Sequence, residues 1–139
     1  MNKPQVTIYC DGGVYPTNPG KLGAYGIVLR YHDACKTLHG SYAIDGISNI
    51  RAEMIAAITA LEALKTACEV TIYSDLQTLV KGGNREQGRN TNLDLWQQLD
   101  DLMAVHTVRF EWVRGHSLIP DNERAHDLVQ IAIREATKS

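Results

Sequence analysis

Hydrophobic and polar residues alternate with a period of two along the first third of the chain. Residues 5–10 show this alternation and predict a strand that ends at Asp11. The stretches 23–31 and 37–44 predict two more strands, and the short segment between them suits an antiparallel hairpin. Prolines and a glycine predict a turn-rich loop at 14–21. The chain is therefore expected to begin with three strands.

Beyond residue 50 the hydrophobic period lengthens to about 3.6 residues, which is typical of helices. The first helix is expected to have Ser48 or Asn49 as its N-cap. The remaining predicted elements are a strand at 70–73, a brief helix at 76–81 broken by Gly82-Gly83, a helix after Asn92, a strand at 108–113 and a closing helix capped near Asp121.

This order of elements predicts an α/β fold in which helices flank a mixed sheet. Hairpins pair strands antiparallel, whereas helical crossovers pair them parallel, so three antiparallel strands should be followed by parallel ones. A chain of 139 residues suits one compact domain, and we expect residues 1–139 to form it.

Composition excludes several classes of protein. The 14 Lys and Arg residues against 16 Asp and Glu residues give a net charge of −2, which excludes a polycation that holds nucleic acid by bulk charge. No apolar run approaches the roughly 18 residues of a membrane span.

Cys10, Cys35 and Cys68 show no CxxC spacing, which favours reduced thiols and a cytoplasmic location. Trp96 and Trp112 lie within apolar periods and are expected in the core rather than as stacking platforms.

Three acidic residues are predicted to meet at one edge of the sheet. Asp11 ends the first strand, Asp75 follows the fourth, and Glu53 lies in the first turn of the crossover helix. Taken singly, each is typical of a turn, a cap or a first-turn charge. Together they would repel one another, so a divalent cation is the simplest partner, and an oxygen-only set favours Mg²⁺ or Mn²⁺ over zinc. Two such cations would stabilise the attacking and leaving oxygens of a phosphoryl transfer.

Six blocks of residues resemble, in order, the ribonuclease H type 1 family. They are Asp11-Gly12-Gly13, Asn18-Pro19-Gly20 with Gly23-Ala24-Tyr25-Gly26, Asn49-Ile50-Arg51-Ala52-Glu53, Tyr73-Ser74-Asp75-Leu76-Gln77, Trp112-Val113-Arg114-Gly115-His116 and Asp121-Asn122-Glu123-Arg124-Ala125. The resemblance spans about Val6 to Ile133. It implies the ribonuclease H-like fold on a five-stranded mixed sheet, and metal-dependent hydrolysis of the RNA strand of RNA–DNA hybrids.

The resemblance also implies roles for individual residues. Asp11, Glu53 and Asp75 match the first three acids of an Asp-Glu-Asp-Asp set that holds two Mg²⁺ ions. His116 matches a loop histidine that assists proton transfer or product release, and its ordinary pKa near 6.5 makes both protonation states available.

At the fourth acid the chain departs from the family pattern, because His126 stands where the family has Asp. Three interpretations remain open. In the first, His126 replaces the carboxylate as a metal ligand or as a partner of metal-bound water. Alternatively Asp127 takes the role, although one residue turns a helix by about 100°. In the third interpretation the fourth ligand is lost and His126 lies on the helix surface.

The resemblance assigns substrate contacts to Asn18, Asn49 and Gln77, whose amides both donate and accept hydrogen bonds. Ile50 stands where the family often has another amide. The loop 81–92 is shorter than the basic protrusion of longer members, and its bases Lys81, Arg85 and Arg89 are either solvated or contact phosphates.

These observations favour a monomeric endoribonuclease that needs Mg²⁺ or Mn²⁺, and the resemblance implies products with 5′-phosphate and 3′-hydroxyl ends. Two alternatives remain at this point: a hybrid-binding module that has lost turnover through the change at His126, and another nuclease on the same fold. The last two blocks of the motif argue against the second alternative, because they belong to the type 1 pattern.

Overall fold

The computed structural model describes residues 3–115 and 117–138. Within these ranges the chain forms β1 (Gln5–Tyr15), β2 (Gly20–Tyr31), β3 (Ala34–Ile47), α1 (Asn49–Glu62), β4 (Glu69–Ser74), α2 (Gln77–Gly83), α3 (Leu93–Met103), β5 (Thr107–Trp112) and α4 (Pro120–Thr137).

The strands form one mixed sheet in the order β3-β2-β1-β4-β5. β1 pairs antiparallel with β2, which pairs antiparallel with β3. On its other side β1 pairs parallel with β4, and β4 pairs parallel with β5. The predicted fold class is confirmed, including the change from antiparallel to parallel pairing.

Helices cover the sheet on both faces. The main core lies between the sheet and α1, α2 and α3, and it contains the alternate strand residues Ile8, Ile72 and Phe110. α4 packs on the opposite face, where Ala125 and the apolar residues around it meet β2. The central strands β1 and β2 are thereby fixed from both sides, which is where a rigid site is best built.

β1 is longer than its hydrophobic pattern predicts. The strand continues past Asp11 to Tyr15, because Gly12 and Gly13 pair with Tyr25 and Ala24 of β2. The prediction that the strand ends at Asp11 is therefore wrong, and the predicted loop at 14–21 shrinks to 16–19.

The boundaries of two helices also differ from expectation. α2 extends through Gly82-Gly83 instead of ending before them. The rings of Trp96 and Phe110 occupy the space that side chains at those positions would fill, so the two glycines allow close packing and do not break the helix. α4 starts at Pro120, and Asp121 does not act as its cap.

Instead, the carboxylate of Asp121 accepts two hydrogen bonds from the guanidinium of Arg30 on β2. The side chain of Ser48 does cap α1, accepting a hydrogen bond from the backbone N–H of Arg51 at 3.1 Å. No helix in the described residues is long and apolar enough to cross a membrane.

Candidate active site

Asp11 and Asp75 reach the same edge of the sheet because the parallel pairing of β1 with β4 ends just before them. The parallel pairing of these strands stops at Tyr9 and Tyr73, two residues before each aspartate. Beyond this point the strand partner of β1 is β2 alone in the described structure, whereas the chain after β4 turns into α2. The two carboxylates therefore emerge side by side where the parallel pairing ends, which is the edge at which open α/β sheets form their sites.

Gly12 brings the third acid into place. A side chain at this position would lie 2.3 Å from the carbonyl oxygen of Ala52, so only glycine permits α1 to come this close to β1. Glu53 follows Ala52, and its carboxylate accepts a hydrogen bond from the backbone N–H of Gly12. The first turn of α1 is thus bonded directly to the strand that carries Asp11.

Gly26 does the same for α4 on the other face of the sheet. It is the partner of Asp11 across the β1–β2 pair, and a side chain here would lie 2.1 Å from the carbonyl oxygen of Ala125. The next residue of α4, His126, places its Nδ1 atom 3.0 Å from Oδ2 of Asp11. The close approach at Gly26 therefore lets the imidazole contact the first carboxylate.

The carboxylates of Asp11, Glu53 and Asp75 form one cluster, with a ligand oxygen of each lying within 4.8 Å of the others. Asp11 and Glu53 are buried, and Asp75 is partly buried. Burial, together with the negative charge of Asp11, raises the pKa of Glu53 well above its usual range. Such a set of buried oxygens disfavours its own ionisation unless a cation neutralises it, and its all-oxygen chemistry fits a hard divalent cation.

A cavity of about 290 Å³ opens over this cluster. Its lining residues are Asp11, Gly12, Asn49, Ile50, Glu53, Asp75, Leu76, Asn122, Glu123 and His126. His126 thus faces the acidic cluster, and its hydrogen bond to Asp11 raises the pKa of the imidazole. Asp127 is exposed and does not line the cavity, as expected from the 100° turn per residue.

Of the three amides predicted to contact substrate, Asn49 alone lines the cavity in the described structure. The backbone N–H of Asn49 donates to the side-chain oxygen of Asn18 at 3.0 Å. This bond ties the β1–β2 turn to the start of α1. Gln77 does not line the cavity, but it is exposed two residues beyond Asp75.

Sequence reasoning did not single out Asn122 and Glu123 as site residues, although both line the cavity. They lie four and three residues before His126 on α4, and this spacing places side chains on one face of a helix. Helical periodicity therefore predicts both residues from the position of His126. Asn122 is buried, with 6% of its surface exposed.

Two of the three bases in the loop 81–92 are held by one carboxylate. Arg89 donates to both oxygens of Asp100 at 2.8 Å, and Arg85 contacts the same residue at 3.2 Å. The guanidinium of Arg89 also lies 4.2 Å from the ring centroid of Trp96, which is buried as predicted. Within the described part of the chain, Lys81 forms no ion pair.

The prediction for Trp112 is wrong, because 44% of its surface is exposed. It is the last residue of β5, which is an edge strand of the sheet, so the apolar period continues past the point where a core exists to receive it.

His116 lies outside the described residues. The loop that leads to it does approach the cluster, since a side chain at Gly115 would lie 3.2 Å from Oδ2 of Asp75.

Comparison with known proteins identifies the family. The RNase H family pattern matches residues 3–134. The chain is 44% identical to the ribonuclease H of Marinobacter nauticus over 144 aligned residues, which cover 94% of this chain and 95% of that protein. This chain belongs to the ribonuclease H family.

Solved structures of ribonucleases H share the fold. LC9-RNase H1, a type 1 enzyme with the type 2 active-site motif, superposes with a TM-score of 0.78 at 23% identity and covers 100% of this chain and 76% of its own. LC11-RNase H1, solved in complex with an RNA/DNA hybrid, gives a TM-score of 0.69 at 22% identity, covering 92% and 99% of the two chains. The order of motifs is that of type 1 ribonuclease H, and the chain is a ribonuclease H enzyme.

Proposed function

We propose that this ribonuclease H is a metal-dependent endonuclease that hydrolyses the RNA strand of RNA–DNA hybrids and leaves 5′-phosphate and 3′-hydroxyl ends. The observation that carries the proposal is the cluster of Asp11, Glu53 and Asp75 at the floor of an open cavity. The solved complex of LC11-RNase H1 with an RNA/DNA hybrid supports the same class of substrate here.

Asp11, Glu53 and Asp75 are the residues that would hold the cations, and we propose two ions of Mg²⁺ or Mn²⁺. When bound, such ions activate water and stabilise the charge that develops on a leaving oxygen. The chain offers no paired nucleophile and base at this edge in its described residues, which is consistent with attack by water. His126 contacts Asp11, so we assign it the role of orienting that carboxylate or a water that the ions would hold.

The amides would recognise the substrate by its shape and by its 2′-hydroxyl groups. Asn49 lines the cavity and is bonded to Asn18, and Gln77 is exposed two residues beyond Asp75. A duplex lying across the cavity would come within reach of these amides. His116 remains our proposed proton-transfer residue on the basis of its motif.

The proposal is tested by incubating a 5′-labelled RNA–DNA hybrid with the protein and either Mg²⁺ or Mn²⁺. We expect the RNA strand to be cut and the DNA strand to stay intact. A polymerase should extend the upstream RNA fragment from its 3′-hydroxyl, and a phosphatase should remove the 5′-phosphate of the downstream fragment. Asp75→Asn is the matched control, because it keeps the shape of the side chain and removes the charge. Cleavage that is unchanged in this variant, or equal cleavage of double-stranded DNA, would contradict the proposal.

A second candidate is a hybrid-binding module without turnover. The observation in its favour is that the fourth position of the acid set is an imidazole bonded to Asp11, so the cluster has three carboxylates in the described structure. Tight binding of the hybrid with no cleavage under either cation would establish this candidate.

We further propose that residues 1–139 act as a single catalytic domain, as a monomer, in the cytoplasm. The free thiols of Cys10, Cys35 and Cys68 support a reducing compartment. Light scattering of the purified protein at two concentrations tests the monomer, and a mass that grows with concentration would contradict it.

A further inference from the structure

Trp112 lies exposed beside the acidic cluster. Its indole Nε1–H donates a hydrogen bond to the backbone carbonyl of Asp75 at 3.2 Å, which satisfies its one polar atom. Yet 44% of the residue remains exposed, whereas Trp96, the other tryptophan, is 7% exposed. The hydrogen bond fixes the position of the ring, but it leaves a large part of the ring without a packing partner.

A shallow cavity of about 130 Å³ adjoins this ring. It is lined by Trp112 together with Gln77, Val80 and Lys81 of α2, and we call it the Trp112 pocket. The pocket combines an aromatic ring, an apolar floor in Val80, an amide and an ammonium group. Its volume is below the roughly 300 Å³ that is typical of sites for free small molecules, so it suits one unit of a longer ligand.

The charge of Lys81 is available to a ligand. Its side chain is exposed and forms no ion pair within the described residues. By contrast, Arg85 and Arg89, which follow it in the same segment, are both bound to Asp100. A cation beside an exposed aromatic ring is the combination with which proteins bind single nucleotides of a strand: the cation contacts the phosphate and the ring packs on the base or sugar.

We propose that the Trp112 pocket binds one nucleotide of the hybrid strand next to the phosphate that is cleaved. Lys81 contacts the phosphate of this nucleotide, and the ring of Trp112 packs against its sugar or base. The bond from Nε1 to the backbone carbonyl of Asp75 holds the pocket next to a residue of the acidic cluster. This inference rests on the proposed function, because it presumes that a nucleic-acid strand crosses the acidic cluster.

The ring contact is tested by fluorescence with the Asp75→Asn variant, which keeps the backbone carbonyl of Asp75 and prevents cleavage during the titration. Adding hybrid should quench the exposed tryptophan. The double variant Asp75→Asn with Trp112→Phe should bind hybrid but lose this change, since the remaining Trp96 is buried. Binding itself is followed independently by the anisotropy of a dye on the DNA strand.

The phosphate contact is tested with Lys81→Met. We expect KM for the hybrid to rise about fivefold with kcat unchanged, and the slope of log Kd against log salt to fall by about one. Lys36→Met is the matched control, because Lys36 is also exposed and lies on β3 near the β2–β3 hairpin. It should leave both quantities unchanged.

The outcomes separate this inference from the proposed function. If wild-type protein cleaves the hybrid but Lys81→Met behaves like Lys36→Met and the tryptophan signal does not change on binding, the Trp112 pocket is not a nucleotide site. If wild-type protein neither binds nor cleaves the hybrid with either cation, the proposed function fails and this inference fails with it.

Discussion

Nδ1 of His126 lies 3.0 Å from Oδ2 of Asp11, so the residue at the fourth acidic position contacts the first. Asp11 lies on the central strand β1, and His126 lies on α4, which packs on the face of the sheet opposite α1. The two residues meet because Gly26 lets α4 approach the sheet closely. The side chain of His126 is 42% exposed while that of Asp11 is 11% exposed. The imidazole therefore covers the carboxylate on its open side and still faces the cavity.

Changing His126 should alter both the rate and the dependence on metal. His126→Ala removes the partner that orients Asp11, and loss of such a partner typically costs about 10- to 100-fold in metal affinity or activity. His126→Asp should strengthen binding of Mg²⁺, since it adds a fourth negative charge to the set. Calorimetric titration with each metal and steady-state cleavage rates measure these effects. An alanine variant with unchanged rate and metal dependence would show that His126 takes no part in the site.

The three acids of this site could be predicted from sequence because they follow local rules. A polar residue after a run of alternating hydrophobic residues marks the sheet edge, and Ser48 marks the start of the helix that carries Glu53. What the local pattern could not show is how the chain continues past Asp11. Gly12 and Gly13 contribute no hydrophobic signal, and their place in β1 depends on pairing with β2.

Contacts between distant segments escaped prediction for the same reason. Asp121 is a residue type that often caps helices. Its carboxylate instead accepts hydrogen bonds from Arg30, which lies 91 residues earlier in the chain. Trp112 has the period of a core residue, but it ends an edge strand. Hydrophobic periodicity reports which face a residue points to, and it does not report where the neighbouring layer stops.

A side chain at Gly26 should disrupt the fold and the site together. Its Cβ would lie 2.1 Å from the carbonyl oxygen of Ala125, a backbone atom that cannot move without shifting α4. We expect Gly26→Ala to lower the free energy of unfolding by about 3 kcal/mol or more, at the upper end of what overpacking costs. Urea denaturation measures this loss. Gly88→Ala is the matched control, because the nearest atom to its Cβ lies at 3.9 Å, and an equal loss in both variants would contradict the role of Gly26.

Stability should fall below about pH 6.5 in a way that depends on His106. His106 is buried, and its Nδ1 accepts a hydrogen bond from the backbone N–H of Cys68 at 3.0 Å. Burial, with the positive charge of Lys3 nearby, lowers the pKa of this imidazole. The unfolded chain therefore binds a proton more readily than the folded one. The contribution of His106 is complete above the unfolded pKa and is lost as the pH falls towards the folded value.

The variant His106→Asn isolates this effect, because its side-chain oxygen can accept the same hydrogen bond without titrating in this range. We expect the wild-type free energy of unfolding to fall more steeply than that of the variant, by up to about 1.4 kcal/mol per pH unit. His126 contributes with the opposite sign, since its pKa is raised, but it is present in both proteins. Parallel curves for the two proteins between about pH 7 and about pH 5 would contradict the assignment.

Asp100 should matter for stability because it is the carboxylate partner of a buried guanidinium. The side chain of Arg89 is 8% exposed, and it donates through Nη1 to both oxygens of Asp100 and through Nε to the carbonyl of Gly82. Asp100→Ala would leave this charge buried without a counter-ion, which typically costs about 3–5 kcal/mol.

Arg85→Ala supplies the comparison, because the side chain of Arg85 is 67% exposed and its contact with Asp100 is longer. An exposed pair of this kind is worth about 0–1 kcal/mol. Urea denaturation should therefore show a much larger loss of stability for Asp100→Ala than for Arg85→Ala, and similar losses would show that Arg89 does not need its partner.

Because the guanidinium of Arg89 is bonded to Asp100, Arg89→Met should destabilise the protein and leave the salt dependence of hybrid binding unchanged. That combination would distinguish a structural base in this loop from Lys81, whose loss is expected to change the salt dependence without changing stability.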